Sequence, residues 1–194
     1  MKLISSLNSV HQKGKFGNIA LEDDKNILKI REIKDMVIFQ IIKFKNSKIE
    51  IDQMEIDNLP LPNSLKSSSN STTRILWIGP NNWLVISSKL DLMIIENEKI
   101  DSINFAITDL SHSKTIIELE GNLTDEVLKK GCPLNINDLK KGDCASSVYN
   151  GIAITIDFIS DDPKKVRIFG LRSFGESLYH SITDASLEYG FIGY

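Results

Sequence analysis

Apolar residues along this chain fall into short runs divided by turn-forming residues, and the strongest runs have the length of strands. Val37-Ile38-Phe39-Gln40-Ile41-Ile42-Lys43-Phe44 is β-branched and nearly continuous, which predicts a strand covered on most of its surface. Ile49 to Ile56 alternates only weakly. Leu59-Pro60-Leu61-Pro62 is expected to end regular structure, because each proline removes a backbone donor and restricts the residue before it. The clearest local pattern is Ile75-Leu76-Trp77-Ile78, Gly79-Pro80-Asn81-Asn82, Trp83-Leu84-Val85-Ile86, which predicts a β-hairpin with a four-residue turn. Trp77 and Trp83 flank that turn as hydrophobic anchors of the sheet.

Leu90 to Ile100 reads as a helix with a polar, mostly acidic tail, and Asn104 to Thr108 and Lys114 to Leu119 as strands around the polar bend Asp109-Leu110-Ser111-His112. Gly121-Asn122 introduces a short helix over Leu123 to Lys130. Asn122 is its expected cap, Asp125 and Glu126 suit its positive first turn, and Lys129 and Lys130 its negative last turn. Gly131 is the expected C′ glycine, and Pro133 stops continuation. Ile152 to Ile159 is a strand, Asp161-Asp162-Pro163-Lys164 a turn, and Val166 to Leu171 the antiparallel partner. Ser173-Phe174-Gly175-Glu176 has the form of a capping box opening the last helix. Phe174, Leu178, Ile182, Ala185 and Tyr189 share one face of that helix, and Gly190 ends it. No repeat recurs at a fixed period. The pattern defines an α+β fold with largely antiparallel sheets and packed helices. It predicts a loosely held arm over residues 1–30, a single domain over 31–194, and an exposed flexible loop at 66–73, the polar stretch Lys66 to Thr73.

Composition narrows the function classes. Among 194 residues, 23 Lys and Arg against 26 Asp and Glu give a formal net charge of −3, which speaks against a general binder of nucleic-acid backbones. No run approaches the roughly 18 apolar residues of a membrane span. Met1 to Ser6 turns polar too soon for a signal-peptide core, so the expected location is the cytoplasm. Cys132 and Cys144 are expected as reduced thiols, and with His11, His112 and His180 they match no zinc-ligand spacing.

The search for chemistry finds no P-loop, dinucleotide fingerprint, His-Glu-x-x-His or nucleophile elbow. Asp109, Ser111 and His112 lie close in sequence, but adjacent residues in a bend seldom point at one another, and Asp109 and Ser111 are expected to bond nearby backbone instead. Cys132 follows the negative end of a helix, which disfavours a thiolate unless Lys129 or Lys130 turns back toward it. The pairs Lys129-Lys130, Lys140-Lys141 and Lys164-Lys165 read as solvated helix ends and turns rather than phosphate contacts. No catalytic, cofactor-binding or metal-binding residue is assigned.

Three stretches in order resemble the gamma subunit of bacterial heterotetrameric sarcosine oxidase. Leu76-Trp77-Ile78-Gly79-Pro80-Asn81-Asn82-Trp83-Leu84 is similar to that family's Leu-Trp-Leu-Gly-Pro-Asp-Glu-Trp-Leu hairpin. Lys130-Gly131-Cys132-Pro133-Leu134, with Gly142-Asp143-Cys144-Ala145 a short distance on, is the second, and Arg172-Ser173-Phe174-Gly175-Glu176-Ser177-Leu178-Tyr179 the third. The likeness extends over about residues 75–190. Thr108-Asp109-Leu110-Ser111-His112 more distantly resembles the Asp-x-Ser-His segment of glycine-cleavage aminomethyltransferases. The chain has roughly half the length of a complete aminomethyltransferase.

The resemblance implies a folate-binding-type domain with ferredoxin-like units. It implies a small non-catalytic subunit that packs mainly on the alpha subunit, beside beta and delta. The complex would demethylate sarcosine oxidatively to glycine and pass the one-carbon unit to tetrahydrofolate. FAD, FMN, NAD and tetrahydrofolate would all be held by partner subunits, none by this chain. Two other readings stay open: a stand-alone folate-binding one-carbon transferase, and the small subunit of a related enzyme such as N-methylglutamate dehydrogenase. The hairpin around Trp77 and Trp83 and the terminal Phe191-Ile192-Gly193-Tyr194 are the candidates for burial against a partner.

Overall fold

The computed structural model describes residues 5–18, 27–51 and 54–194. In chain order its elements are β1 (Gly14–Phe16), β2 (Leu28–Glu32), β3 (Val37–Lys43), β4 (Glu55–Ile56), β5 (Leu59–Pro60), β6 (Ser67–Ser69), β7 (Thr73–Gly79), β8 (Asn82–Ser87), α1 (Leu92–Lys99), β9 (Phe105–Asp109) and β10 (Lys114–Glu120). They continue with α2 (Thr124–Gly131), β11 (Cys144–Tyr149), β12 (Ile152–Asp161), β13 (Lys164–Leu171), α3 (Gly175–Ser186) and β14 (Phe191–Gly193). The chain divides into two compact units, Met1–Lys34 with Ser113–Tyr194, and Asp35–His112. That differs from the expected arm plus single domain. The described residues of the expected arm at 1–30 are held in the fold: Leu7 is fully buried, and β1 and the start of β2 belong to the sheet of the first unit.

The first unit carries a seven-stranded sheet in the order β1-β14-β2-β10-β13-β12-β11, antiparallel throughout except for the β14–β2 pair. Strand alternation directs Leu28, Ile30, Ile117, Leu119, Ile156, Phe158, Val166 and Ile168 into one core. Helices α2 and α3 add Val127, Leu128, Leu178, Tyr179 and Ile182 to it. The terminal tail expected at an interface is instead β14, and Phe191 is fully buried in this core. β14 lies so close to the N-terminal segment that a Cβ on Gly193 would meet the Gln12 carbonyl oxygen at 1.8 Å.

Both predicted caps give way to backbone geometry. The N-cap position of α2 is Leu123, not Asn122, and it has no side-chain cap hydrogen bond. Gly131 is the last residue of α2 rather than a residue beyond it, and the reason is close approach: the Tyr149 ring lies where a Cβ would be. Residues Arg172–Phe174 form a 3-10 turn in place of a capping box, and α3 starts at Gly175. Glu176 accepts a hydrogen bond from Ser9 Oγ instead of reaching back to a cap. This rotates the apolar face: Leu178 and Ile182 are buried as predicted, Tyr179 joins them, and Phe174 is 49% exposed.

The second unit is a five-stranded antiparallel sheet, β6-β7-β8-β3-β9, with α1 on one face. Val37, Phe39, Ile41, Ile75, Trp83, Val85, Leu92 and Phe105 form its core. The predicted hairpin is β7–β8, with Trp77 opposite Trp83 and Asn81 at φ 56° in the turn. Trp83 is 1% exposed and donates Nε1–H to the Pro62 carbonyl at 2.9 Å, so it anchors its own unit and does not wait for a partner. The stretch 66–73 is not a flexible loop. Ser67–Ser69 pairs with β7 as an edge strand, and Asn70 Oδ1 accepts from the Thr72 and Thr73 amides to turn the chain. Leu59-Pro60 likewise continues regular structure, in a two-residue ladder with β4 closed by Asp57 and Asn58, both at positive φ.

Candidate functional site

The bend at Asp109 forms as its side-chain chemistry dictates. Asp109 Oδ1 accepts the Ser111 amide at 2.8 Å, while Ser111 Oγ accepts from the Ile38 amide at 3.0 Å and faces the Ile38 carbonyl at 3.2 Å. The Ser111 amide and hydroxyl hold the Asp109 carboxyl below its ordinary pKa, against burial and with the help of His112. His112 is exposed. Asp109 therefore fixes the bend, and Ser111 pins it to β3.

Cys132 and Cys144 are buried and not joined in a disulfide, and Cys132 Sγ sits 3.4 Å from Ser147 Oγ. The neighbouring ammonium groups do not turn toward Cys132. Lys129 pairs with Glu126 at 2.7 Å, and Lys130 with Glu188 at 2.6 Å and the Ala185 carbonyl at 2.7 Å. Of the other lysines singled out, Lys165 pairs with Glu120 at 2.7 Å and Lys164 with Asp125 at 3.4 Å, while Lys140 and Lys141 are exposed.

Two polar clusters were not anticipated from the sequence. The first crosses the seven-stranded sheet on the face opposite its helices. In one row Arg31, Glu118, Arg167 and Asp157 stand in register, and in the next Lys29, Glu120 and Lys165. Glu118 is 1% exposed and takes both arginines, Arg31 on Oε1 and Arg167 Nε on Oε2 at 2.8 Å. Burial works against the Arg31 charge, but Glu118 outweighs it and raises the guanidinium pKa. Lys165 holds Glu120 below the usual carboxylate range. The sequence signal is the alternation itself, with apolar residues inward and charges of opposite sign on neighbouring strands; it becomes visible only once β2 is recognised as a strand.

The second cluster centres on Asp57, in the left-handed turn between β4 and β5. Its carboxylate takes Lys89 Nζ, Thr73 Oγ1 at 2.6 Å and Asn70 Nδ2 at 3.2 Å. Burial alone would raise its pKa, and these partners overcome that, lowering it to about 2. Nearby, Glu96 is 3% exposed and holds Lys99 Nζ at 3.0 Å.

The first unit has a cavity of about 450 Å³ lined by Ile27, Lys29, Glu120, Gly121, Asn122, Asp162 and Pro163. The second unit has one of about 250 Å³ bounded by Ile49, Met54, Glu96, Ile100 and Phe105. A second, of about 300 Å³, lies beside α1. None shows an aromatic slot with convergent polar groups of the kind that grips a flavin or pteridine ring. Among the described residues no group of three or more His, Cys, Asp or Glu side chains is placed to hold a metal ion. No helix among them is long and apolar enough to cross a membrane.

The chain is similar to solved structures. One is heterotetrameric sarcosine oxidase from Corynebacterium sp. U-96 in complex with pyrrole 2-carboxylate, at TM-score 0.75 and 19% identity over 86% of this chain and 88% of that one. Another is glycine cleavage system aminomethyltransferase T from Bartonella henselae, at TM-score 0.61 and 9% identity over 84% of this chain and 47% of that one. At those identities they establish the fold alone, an α+β fold with mostly antiparallel sheets. The sequence is more specific. The chain belongs to the sarcosine oxidase, gamma subunit family, whose profile it matches over residues 51–188. The sarcosine oxidase subunit gamma of Corynebacterium sp. (strain U-96) is 25% identical over 126 residues, which span 61% of this chain and 58% of that relative.

Proposed function

We propose that this chain is the small, non-catalytic subunit of a cytoplasmic sarcosine oxidase-type complex. In that complex sarcosine is oxidatively demethylated to glycine with release of hydrogen peroxide, and the one-carbon unit passes to tetrahydrofolate. The chain contributes structure, packing mainly on the alpha subunit, with beta and delta completing the assembly. FAD, FMN, NAD and tetrahydrofolate belong to those partners in this reading.

The observation that carries the proposal is the family match over residues 51–188. The chemistry of the described residues supports it. Asp109 and Ser111 fix a bend, Glu118 and Glu120 tie strands together, and Lys129, Lys130, Lys164 and Lys165 are ion-paired. These polar groups are already engaged in holding the fold together.

Co-production with the flavoprotein subunits tests the role. The chain is expected to co-purify with them at fixed stoichiometry, and the isolated chain is expected to show no binding of tetrahydrofolate by calorimetry. Micromolar folate binding by the chain alone would return it to the transferase reading. A stable chain that ignores those subunits when mixed with them refutes the assembly role.

A further inference from the structure

Helix α1 of the second unit turns a charge inward and isoleucines outward. Its sequence, Leu92-Met93-Ile94-Ile95-Glu96-Asn97-Glu98-Lys99, places four apolar residues in a row, and a helix cannot bury four consecutive positions on one side. Leu92 and Glu96 take the inner face, at 2% and 3% exposure. Ile94 and Ile95 are left 61% and 40% exposed, and Leu90, one turn ahead of Ile94 and four residues before it, is 67% exposed.

The helix cannot rotate to exchange these faces. Glu96 is held inside by Lys99 Nζ at 3.0 Å and by the Asp57 amide, 3.4 Å from Oε1. The lysines that border the apolar strip are committed within the unit, Lys89 to Asp57 and Lys99 to Glu96. The exposed acids Asp91 and Glu98 have no cationic partner among the described residues. The strip is therefore apolar with an unneutralised acidic rim. A groove of about 300 Å³ runs beside it, with Ile95 and Leu92 on one wall and Glu55, Asp57 and Lys89 among the others.

We propose that this face of α1 docks a partner protein whose contact surface is apolar and rimmed by Arg or Lys side chains. The inference rests on the reading that the chain works inside a multi-subunit enzyme, and it assigns the surface through which it does so. A second copy of the chain is the wrong occupant. A two-fold contact would set the Asp91 and Glu98 rim against its own image, and like charges facing each other across an interface are repulsive. A basic rim on the partner instead satisfies these acids while the isoleucines lose their exposure to water.

The test uses the full chain co-produced with its partner subunits. Ile94→Lys and the double variant Asp91→Lys/Glu98→Lys are compared with wild type, and Val148→Lys, at an exposed apolar site of the first unit, is the control. Thermal melts of each isolated chain verify folding. Ile94→Lys is expected to weaken co-elution with the partner at least tenfold. The double variant is expected to weaken it and to remove the salt sensitivity seen with wild type, and Val148→Lys to match wild type. If wild type assembles and both α1 variants assemble equally well, the docking face is refuted and the subunit role survives. A wild-type chain that joins no partner overturns both. A homodimer broken by Ile94→Lys gives the surface to a second copy and overturns the choice of occupant.

Discussion

Gly131→Ala separates two physical reasons for a glycine at the end of α2. If the residue served as a left-handed C-cap, alanine would fail through backbone strain. In the structure it is helical, and an added Cβ would lie 2.7 Å from Tyr149 Cε1 and Cζ and 2.9 Å from Cδ1. Carbon atoms prefer separations of about 3.5–4.0 Å, so the ring or the helix end must move by nearly 1 Å. Neither yields easily. Tyr149 is fully buried, its hydroxyl donates to the Val127 carbonyl at 2.9 Å, and the Asn150 amide donates to the Gly131 carbonyl at 2.9 Å. Overpacking of this kind costs about 1–3 kcal/mol, and alanine returns up to about 1 kcal/mol of helix propensity. The net expectation is a loss of about 1–2 kcal/mol, or about 2–8 °C in Tm for a chain of this size. Urea and thermal denaturation of wild type, Gly131→Ala, Tyr149→Leu and the double variant make the cycle. In the Tyr149→Leu background the alanine is expected to be neutral or stabilising. A Gly131→Ala protein that melts above wild type refutes the steric argument, and so does a cost that persists undiminished without the ring.

Glu118→Gln leaves Arg31 and Arg167 without their shared carboxylate and is expected to cost about 3 kcal/mol, whereas replacing all three by Met or Leu costs little; denaturant titration checks this, and a neutral single variant contradicts it. Asp57 has a folded-state pKa of about 2 against an ordinary 3.8, so its contribution to stability is complete above the ordinary value and lost as pH falls from there toward about 2. Allowing for solvent screening, wild type is expected to lose on the order of 1 kcal/mol more than Asp57→Asn between about pH 5 and about pH 2.5, and equal losses in urea melts exclude the contribution. Deleting Phe191–Tyr194 removes β14 from between β1 and β2 and is expected to abolish the cooperative melt of the first unit; a deletion protein with native circular dichroism and Tm would show that the strand is dispensable.

What the sequence reveals here is what short-range chemistry decides. β3, the β7–β8 hairpin, and β12 with β13 follow from local periodicity and turn residues, and the Asp109–Ser111 bend follows from a carboxylate two residues from an amide it can reach. β1 and β14 are three residues each and carry almost no period; they are strands because they pair with each other and with β2. Gly193 and Gly14 are 179 positions apart along the chain, beyond any window of local pattern. The serines at 67–69 look like loop by composition and become a strand because β7 offers them an open edge. The Glu118 row was hidden for the same reason. Its two arginines lie 87 and 49 residues away along the chain, and Arg31 stands on β2, which has no clear strand pattern in the sequence.

The direction of the pKa shifts bears on what such a chain does. A general acid or base works best when its environment moves it toward neutrality, through burial or a like charge nearby. The carboxyls of Asp57, Asp109 and Glu120 move down. Arg31, Lys129 and Lys130 all move up. Each of these groups is fixed more firmly in its charged form, by a hydrogen-bonded partner that persists in the fold. Lys114, lowered by burial alone, and Tyr149, Tyr179 and Tyr194, raised chiefly by burial, move the other way, toward their neutral forms. Groups fixed in their charged form hold strands in register and loops in place. The surface that departs from this economy is α1, where isoleucines face outward and acids lack partners. The proposed subunit role asks for that combination: charges tied within each unit, as at Glu118 and Asp57, and an outward apolar strip left for a partner.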